Sequence, residues 1–134
     1  MRDFVACAEY LIAKRLTHPN ILAAKGQSAG ATIVASAAMN MRPDLFRACI
    51  MRVPFVDVLA TLLDDSLPLT ATDHLELGNP IADEQIYRLI QSYCPYTNLA
   101  NKEYPSCLIT GSLKDPRVPV HGVLKYVEKL RDLA

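Results

Sequence analysis

The sequence predicts an α/β fold in which a parallel sheet is flanked by helices. Three apolar runs have the length of buried strands and lie at residues 21–25, 49–53 and 107–110. Amphipathic stretches of helical period separate and flank them. Strands that alternate with helices favour parallel pairing through right-handed crossovers. No repeat or low-complexity linker divides the chain, which predicts a single unit.

Capping and breaking residues set the predicted element boundaries. Asp3 is the predicted N-cap of the first helix, and Asp83 or Glu84 begins a later one. Pro19 and Pro95 end the helices before them, because proline disfavours helical backbone in the preceding residue. Helices are predicted over residues 3–15, 29–40, 56–63, 83–93 and 119–133, and an irregular, partly acidic loop over 64–80.

Charge and hydropathy exclude several classes of partner. Fourteen basic residues balance 14 acidic ones, so no basic surface is expected for nucleic acid or for an anionic membrane. The apolar runs are too short to span a bilayer, which needs about 20 residues. We therefore expect a soluble, cytoplasmic protein. Hydrophobic residues make up 51% of the chain, which suits buried strands or surfaces that further chain covers.

The four cysteines are widely separated and show neither C-x-x-C pairs nor zinc-ligand spacing. They are predicted to be reduced and mostly buried thiols. Neither a metal nor a cofactor is expected.

Residues 26–30 form a G-x-S-x-G motif between a predicted strand and a predicted helix. A sharp strand-to-helix turn holds the central Ser28 in a strained conformation, with its hydroxyl at the carboxyl end of the sheet. Glycine is expected at both flanks, because neighbouring backbone approaches there. The N–H of Ala29 is the predicted donor to a developing oxyanion. This pattern predicts the nucleophile of a serine hydrolase of the α/β-hydrolase fold.

A serine nucleophile requires a histidine base and an acid that orients this base. Asp115 is the predicted acid, because it follows the third strand and so reaches the same sheet edge as Ser28. Its alternative role is that of a turn residue before Pro116. Asp57, Asp64 and Asp65 follow the second strand and are weaker candidates.

None of the three histidines fits the base. In this fold the chain order is serine, acid, histidine, whereas His18 and His74 precede Asp115. His121 follows Asp115 too closely to lie on a separate loop. The triad is predicted to be incomplete within the 134 residues.

Several ordered blocks resemble the catalytic domain of the prolyl oligopeptidase family of serine peptidases. The similarity covers essentially the whole chain and is strongest to the branch that contains oligopeptidase B and the prolyl endopeptidase-like proteins. The blocks are GQSAG (26–30), MRPDLF (41–46), VPFVDVL (53–59), LDDSLPLT (63–70), GNP (78–80) and YCPY (93–96).

The resemblance implies that residues 1–134 are a fragment of one α/β-hydrolase catalytic domain that cleaves short peptides. It places the nucleophile at Ser28 and the acid at Asp115. It also implies that the histidine follows Ala134, that a tyrosine oxyanion donor precedes Met1, and that a β-propeller upstream limits access. The remainder of the catalytic domain and this propeller are the implied partners.

The same resemblance bears on specificity. Asp73 matches one of the acidic residues with which oligopeptidase B recognises a basic side chain. Leu75 stands where a second acid is expected, and Leu77 replaces a usual tryptophan. Loss of one charge-assisted contact weakens recognition of Arg or Lys. The resemblance to the prolyl endopeptidase-like branch then implies an ester or thioester substrate.

Two other interpretations remain open at this stage. In the first interpretation, the chain is a catalytically inactive product, either a truncated one or an interaction module on a hydrolase scaffold. Loss of the base costs several orders of magnitude in rate, which favours this interpretation. A small esterase of the dienelactone-hydrolase type explains the motif but not the blocks around Pro54, Pro68 and Pro95.

Overall fold

The computed structural model describes residues 1–133, which form a parallel three-stranded sheet packed against helices. Strands β1 (Ala23–Gln27), β2 (Ala48–Arg52) and β3 (Ser106–Thr110) lie in the order β1-β2-β3, and both pairs are parallel. Gln27 lies opposite Arg52, which lies opposite Thr110. All three strands therefore end in line at one sheet edge. The predicted α/β architecture is confirmed.

The helices begin and end close to the predicted positions in most cases. The second helix changes from α to π geometry, and a short 3₁₀ turn follows it. The helical elements are α1 (Arg2–Ala13), α2 (Ala29–Val34) with its π continuation (Ala35–Met41), the 3₁₀ turn (Pro43–Leu45), α3 (Val58–Leu62), α4 (Thr70–Leu77), α5 (Glu84–Tyr93) and α6 (Val120–Leu133).

The prediction of an irregular loop over residues 64–80 is wrong, because this segment contains α4. Thr70 at the start of α4 is buried, and its hydroxyl donates to the carbonyl of Thr61, 3.2 Å away. Thr70 is the only buried residue of this helix. With so few inward-facing apolar residues, α4 carries no clear helical pattern in the sequence.

Two local predictions near the first strand and the first helix also fail. The strand begins at Ala23 rather than Ile21, because the N–H groups of Ile21 and Leu22 both donate to the carbonyl of His18 in a turn. Met1, not Asp3, is the N-cap of α1, and it makes no side-chain cap bond. In contrast, α5 begins where Asp83 or Glu84 predicted it to begin, and of the two it is Asp83 that caps the helix and accepts from the N–H groups of Gln85 and Ile86.

The core lies on one face of the sheet. Ala24, Cys49 and Met51 point towards it and are 0–3% exposed. They share a cluster with buried residues of α1, α2 and α6: Val5, Ala8, Ala31, Val34 and Tyr126. On the other face Lys25 is exposed, Ile50 is partly buried and Leu108 is 58% exposed. Residues 1–133 leave this second face largely uncovered.

The cysteines only partly follow the prediction. Cys49 and Cys94 are buried, Cys107 is partly buried, and Cys7 is exposed. Burial raises the pKa of the Cys49 thiol to about 12.

Within residues 1–133, no helix combines the length and the apolar character needed to cross a bilayer.

The turn from β1 into α2 depends on close backbone packing at Gly26. A Cβ atom built on Gly26 would lie 2.5 Å from the carbonyl oxygen of Gly30 and 2.8 Å from the Cα of Ala31. A Cβ built on Gly30 meets nothing within 4 Å. The predicted crowding is therefore present at the first glycine of the motif and absent, within residues 1–133, at the second.

We expect Gly26→Ala to lower the free energy of unfolding by roughly 2 kcal/mol, because the added methyl forces the backbone of β1 and α2 apart. Urea-induced unfolding followed by circular dichroism measures this change. Gly30→Ala is the matched control and should leave the stability unchanged or raise it by up to ~1 kcal/mol, since alanine is the better helix former. Equal losses for the two variants would contradict this account of the turn.

We also expect Asp83→Ala to reduce stability by about 1 kcal/mol, because two N–H groups of α5 lose their capping acceptor. Asp3→Ala is the control, as Asp3 lies in the first turn of α1 without a cap bond and should contribute only ~0.3 kcal/mol through the helix dipole. Thermal unfolding of both variants distinguishes the two roles. A larger loss for Asp3→Ala would argue against the cap assignment.

Candidate active site

Ser28 occupies the turn between β1 and α2, as the motif predicts. Its backbone has φ 52° and ψ −126°, a conformation that L-residues rarely adopt. The Ser28 N–H donates to the carbonyl of Arg52, 3.0 Å away, which adds one bond to the β1–β2 ladder. The Ser28 carbonyl accepts from the N–H of Ala31 at 3.0 Å and of Phe55 at 3.3 Å. Bonds to both of its backbone groups thus hold Ser28 in a strained conformation.

The surroundings of Ser28 are open to solvent. Ser28 is only partly buried, and Ala29 is exposed at the start of α2. The first N–H groups of a helix have no acceptor within that helix. The N–H of Ala29, next to Ser28, is one of these groups.

Asp115 lies in the connection between β3 and α6, at the sheet edge where Ser28 follows β1. Its Oδ1 accepts from the N–H of Arg117 at 2.8 Å and of Val118 at 3.0 Å. These backbone hydrogen bonds hold the pKa of the Asp115 carboxyl below its ordinary value. Asp115 is therefore ionised at neutral pH, and one of its oxygens is used to order its own turn.

Two of the three histidines make hydrogen bonds elsewhere. The N–H of Asn20 donates to Nδ1 of His18 at 3.2 Å. Nε2 of His74 lies 2.8 Å from the carbonyl oxygen of Leu62. His121 is exposed in the first turn of α6. Neither of the two hydrogen bonds involves Ser28.

A second strained residue lies beside Ser28 and was not predicted. Val53 follows β2 with φ 39°, and its N–H donates to the carbonyl of Thr110 at 2.6 Å. Val53 is β-branched, so this conformation is a marked outlier. The sequence signal was Val53-Pro54, a pair that indicates a turn but not its conformation.

Asp57 was a weaker candidate for the acid, and the structure pairs its buried carboxylate with a lysine that is 44% exposed. The residue is 5% exposed, and its Oδ2 lies 2.6 Å from Nζ of Lys125 on α6. Sequence reasoning missed this partner because Lys125 lies 68 residues away on another helix. The available signal was a single acid within the apolar run at residues 53–59.

Asp73 lies on α4 rather than on an irregular loop. Partial burial raises the pKa of its carboxyl, and the nearby Glu76 adds to this effect, whereas His74 and Arg117 oppose it. Arg117 also helps to lower the pKa of Asp115. The positive charge of Arg117 therefore favours the ionised form of both Asp73 on α4 and Asp115 in the loop before α6. The neighbouring Leu75 is 88% exposed.

Among residues 1–133, no group of three or more His, Cys, Asp or Glu side chains is arranged to hold a metal ion.

Solved structures with the same fold include two oligopeptidases. Oligopeptidase B from Leishmania major superposes with a TM-score of 0.94 at 43% identity, covering 98% of this chain and 18% of that one. Oligopeptidase B from Trypanosoma brucei, solved in a closed form with covalently bound antipain, gives a TM-score of 0.94 at 44% identity over the same shares. Both likenesses extend over nearly all of the described residues.

Sequence comparison agrees with the structural one. A prolyl endopeptidase-like protein from Xenopus laevis is 41% identical over 134 residues, which are 100% of this chain and 19% of the relative. The chain thus spans about a fifth of the length of the curated relatives that it matches. The profile of the prolyl oligopeptidase family matches residues 1–134. The chain therefore belongs to the prolyl oligopeptidase family, and its fold is that of the α/β-hydrolase domain of these serine peptidases.

Proposed function

We propose that this chain supplies the nucleophile and the acid of a serine peptidase that cleaves short peptides through an acyl-enzyme. Ser28 is the nucleophile, the N–H of Ala29 is an oxyanion donor, and Asp115 orients the histidine. The observation that carries the proposal is the strained backbone of Ser28, which two neighbouring segments hold at the carboxyl edge of a parallel sheet.

The proposed reaction follows from these positions. A histidine takes the proton of the Ser28 hydroxyl while the oxygen attacks the carbonyl carbon of the scissile bond. The carbonyl oxygen becomes an oxyanion and accepts a hydrogen bond from the N–H of Ala29. The histidine then protonates the leaving amine, and the acyl group remains on Ser28 until water releases it as a carboxylic acid.

In this proposal the histidine belongs to the remainder of the catalytic domain. The family resemblance implies a histidine outside residues 1–134, and His18 and His74 make other contacts. An ionised Asp115 suits the role of orienting an imidazolium, because it does not itself take the proton. The covalent antipain complex of the Trypanosoma brucei relative supports covalent chemistry in this family.

The chemistry around α4 bears on the substrate. Asp73 provides one carboxylate for a basic side chain before the cleaved bond, and Leu75 supplies none. We propose that the site binds an Arg or Lys side chain more weakly than a site with two carboxylates does. The 88% exposure of Leu75 favours an ester or thioester with an apolar acyl group as the second candidate, since an apolar surface beside the acid binds such a group.

We expect a chimera in which residues 1–134 replace the matching segment of a family oligopeptidase to react with a fluorophosphonate probe at Ser28. The added segments restore the base, so Ser28 becomes nucleophilic. Ser28→Ala in the chimera should remove the label, as read by intact mass and peptide mapping. Ser92→Ala is the control, because this serine is exposed on α5 and has no proposed role, and it should leave labelling unchanged. A folded chimera that takes up no probe would sink the proposal.

The 134-residue chain by itself should react with the same probe at least ~1,000-fold more slowly, because the general base is not among its residues. The second-order rate constant of phosphonylation is the measurement. A rate near that of the chimera would show that the chain activates Ser28 with a group of its own.

Substrate choice should depend on Asp73. In the chimera, Asp73→Asn should lower kcat/KM for a peptide with Arg before the cleaved bond by about tenfold, the loss of one charge-assisted contact, and leave an apolar ester unaffected. Because the pKa of Asp73 is raised, the carboxylate should become protonated on acidification at a higher pH than an ordinary aspartate. The preference for Arg should be lost over the same pH range. Equal losses on both substrates would contradict direct recognition.

A further inference from the structure

We propose that Asp57 is a positioning residue, whose ion pair with Lys125 fixes helix α6 and so orders the loop that carries Asp115. The ion pair is a contact of this chain, and its importance for catalysis rests on the proposed function of Asp115.

Asp57 holds α6 through two contacts. Its Oδ2 lies 2.6 Å from Nζ of Lys125, and the carboxylate is 5% exposed. A Cβ atom built on Gly122 would lie 3.3 Å from the Cβ of Asp57, so the first turns of α6 pack directly on this residue. Because a buried carboxylate without a partner is costly, Asp57 favours the position of α6 that keeps Lys125 beside it.

Asp57 is itself held firmly. Its carbonyl oxygen accepts from the N–H of Thr61 at 3.1 Å and from the Thr61 hydroxyl at 2.8 Å. Two residues away, the carbonyl of Phe55 accepts from the hydroxyl of Thr32 on α2 at 2.5 Å. The segment is therefore fixed to both α3 and α2.

The segment at residues 53–57 contacts both elements that flank the acid loop (residues 111–119). Before the loop, the N–H of Val53 donates to the carbonyl of Thr110, the last residue of β3. After the loop, Asp57 binds Lys125 in the second turn of α6. The same segment donates a hydrogen bond from Phe55 to the carbonyl of Ser28. This one short segment therefore contacts the backbone of the proposed nucleophile and both elements that flank the loop of the proposed acid.

Lys125 is also held on its outer side. Its Nζ lies 4.6 Å from the centre of the Tyr96 ring, and Nζ of Lys129 lies 4.7 Å from the same ring. Lys129 further donates to the carbonyl of Tyr96 at 3.0 Å but does not bind Asp57. The two lysines share a helix and a ring, so Lys129 is a matched control for the ion pair.

The experiment uses the full chain and measures the order of the acid loop. Nuclear magnetic resonance gives the pKa of the Asp115 carboxyl and the exchange rates of the Arg117 and Val118 amides, which donate to it. We expect Asp57→Asn and Lys125→Met to raise this pKa towards its ordinary value and to speed exchange of both amides by about tenfold. Lys125→Arg should retain the behaviour of the unchanged chain, because the charge persists.

Lys129→Met should leave the Asp115 pKa and both exchange rates unchanged. If the ion pair serves stability alone, its removal would lower the melting temperature without moving the Asp115 pKa under native conditions. That result would overturn the proposal. If Asp57→Asn fails to fold, the comparison of Lys125→Met with Lys125→Arg decides. Neither readout needs activity, so a failure here is distinct from absent labelling of Ser28 in the chimera.

Discussion

The positive φ of Ser28 is the constraint on which the rest of the site depends. A backbone conformation of this kind costs about 1–3 kcal/mol and persists only where surrounding contacts determine it. Here the N–H of Ser28 is bound by Arg52 and its carbonyl by Phe55, while Gly26 lets α2 approach β1. The serine is therefore presented at the sheet edge by fixed backbone rather than by a flexible loop.

A second residue with positive φ extends the sheet in the same way at the end of β2. The β1–β2 and β2–β3 ladders each continue by one hydrogen bond beyond the strand ends, and each added donor is a residue with positive φ, Ser28 or Val53. These two strained residues are neighbours because Gln27 and Arg52 lie opposite each other. The segment after Val53 then reaches α6 through Asp57. Rigid elements of this kind position reactive groups more accurately than loops do.

Much of this arrangement could be predicted from the sequence, because it depends on local chemistry. The strand, the glycine at position 26 and the small residues of α2 indicate the turn around Ser28, and Asp83 indicates the start of α5. Helix α4 escaped prediction because its one buried residue is Thr70 and it has no apolar stripe. The pairing of Asp57 with Lys125 joins residues 68 positions apart, which no local pattern reports. The prediction of crowding at Gly30 is wrong, because the motif suggests a close backbone contact that residues 1–133 do not make.

We propose that the backbone at Ser28 holds a reactive serine next to the N–H of Ala29. The most direct measurement is a crystal structure of the phosphonylated chimera. The account predicts phosphorus bonded to the Ser28 oxygen, with a phosphonyl oxygen about 2.7–3.1 Å from the Ala29 nitrogen and a positive φ at Ser28. An adduct on another residue, or a Ser28 adduct whose oxygen points away from Ala29, would contradict it.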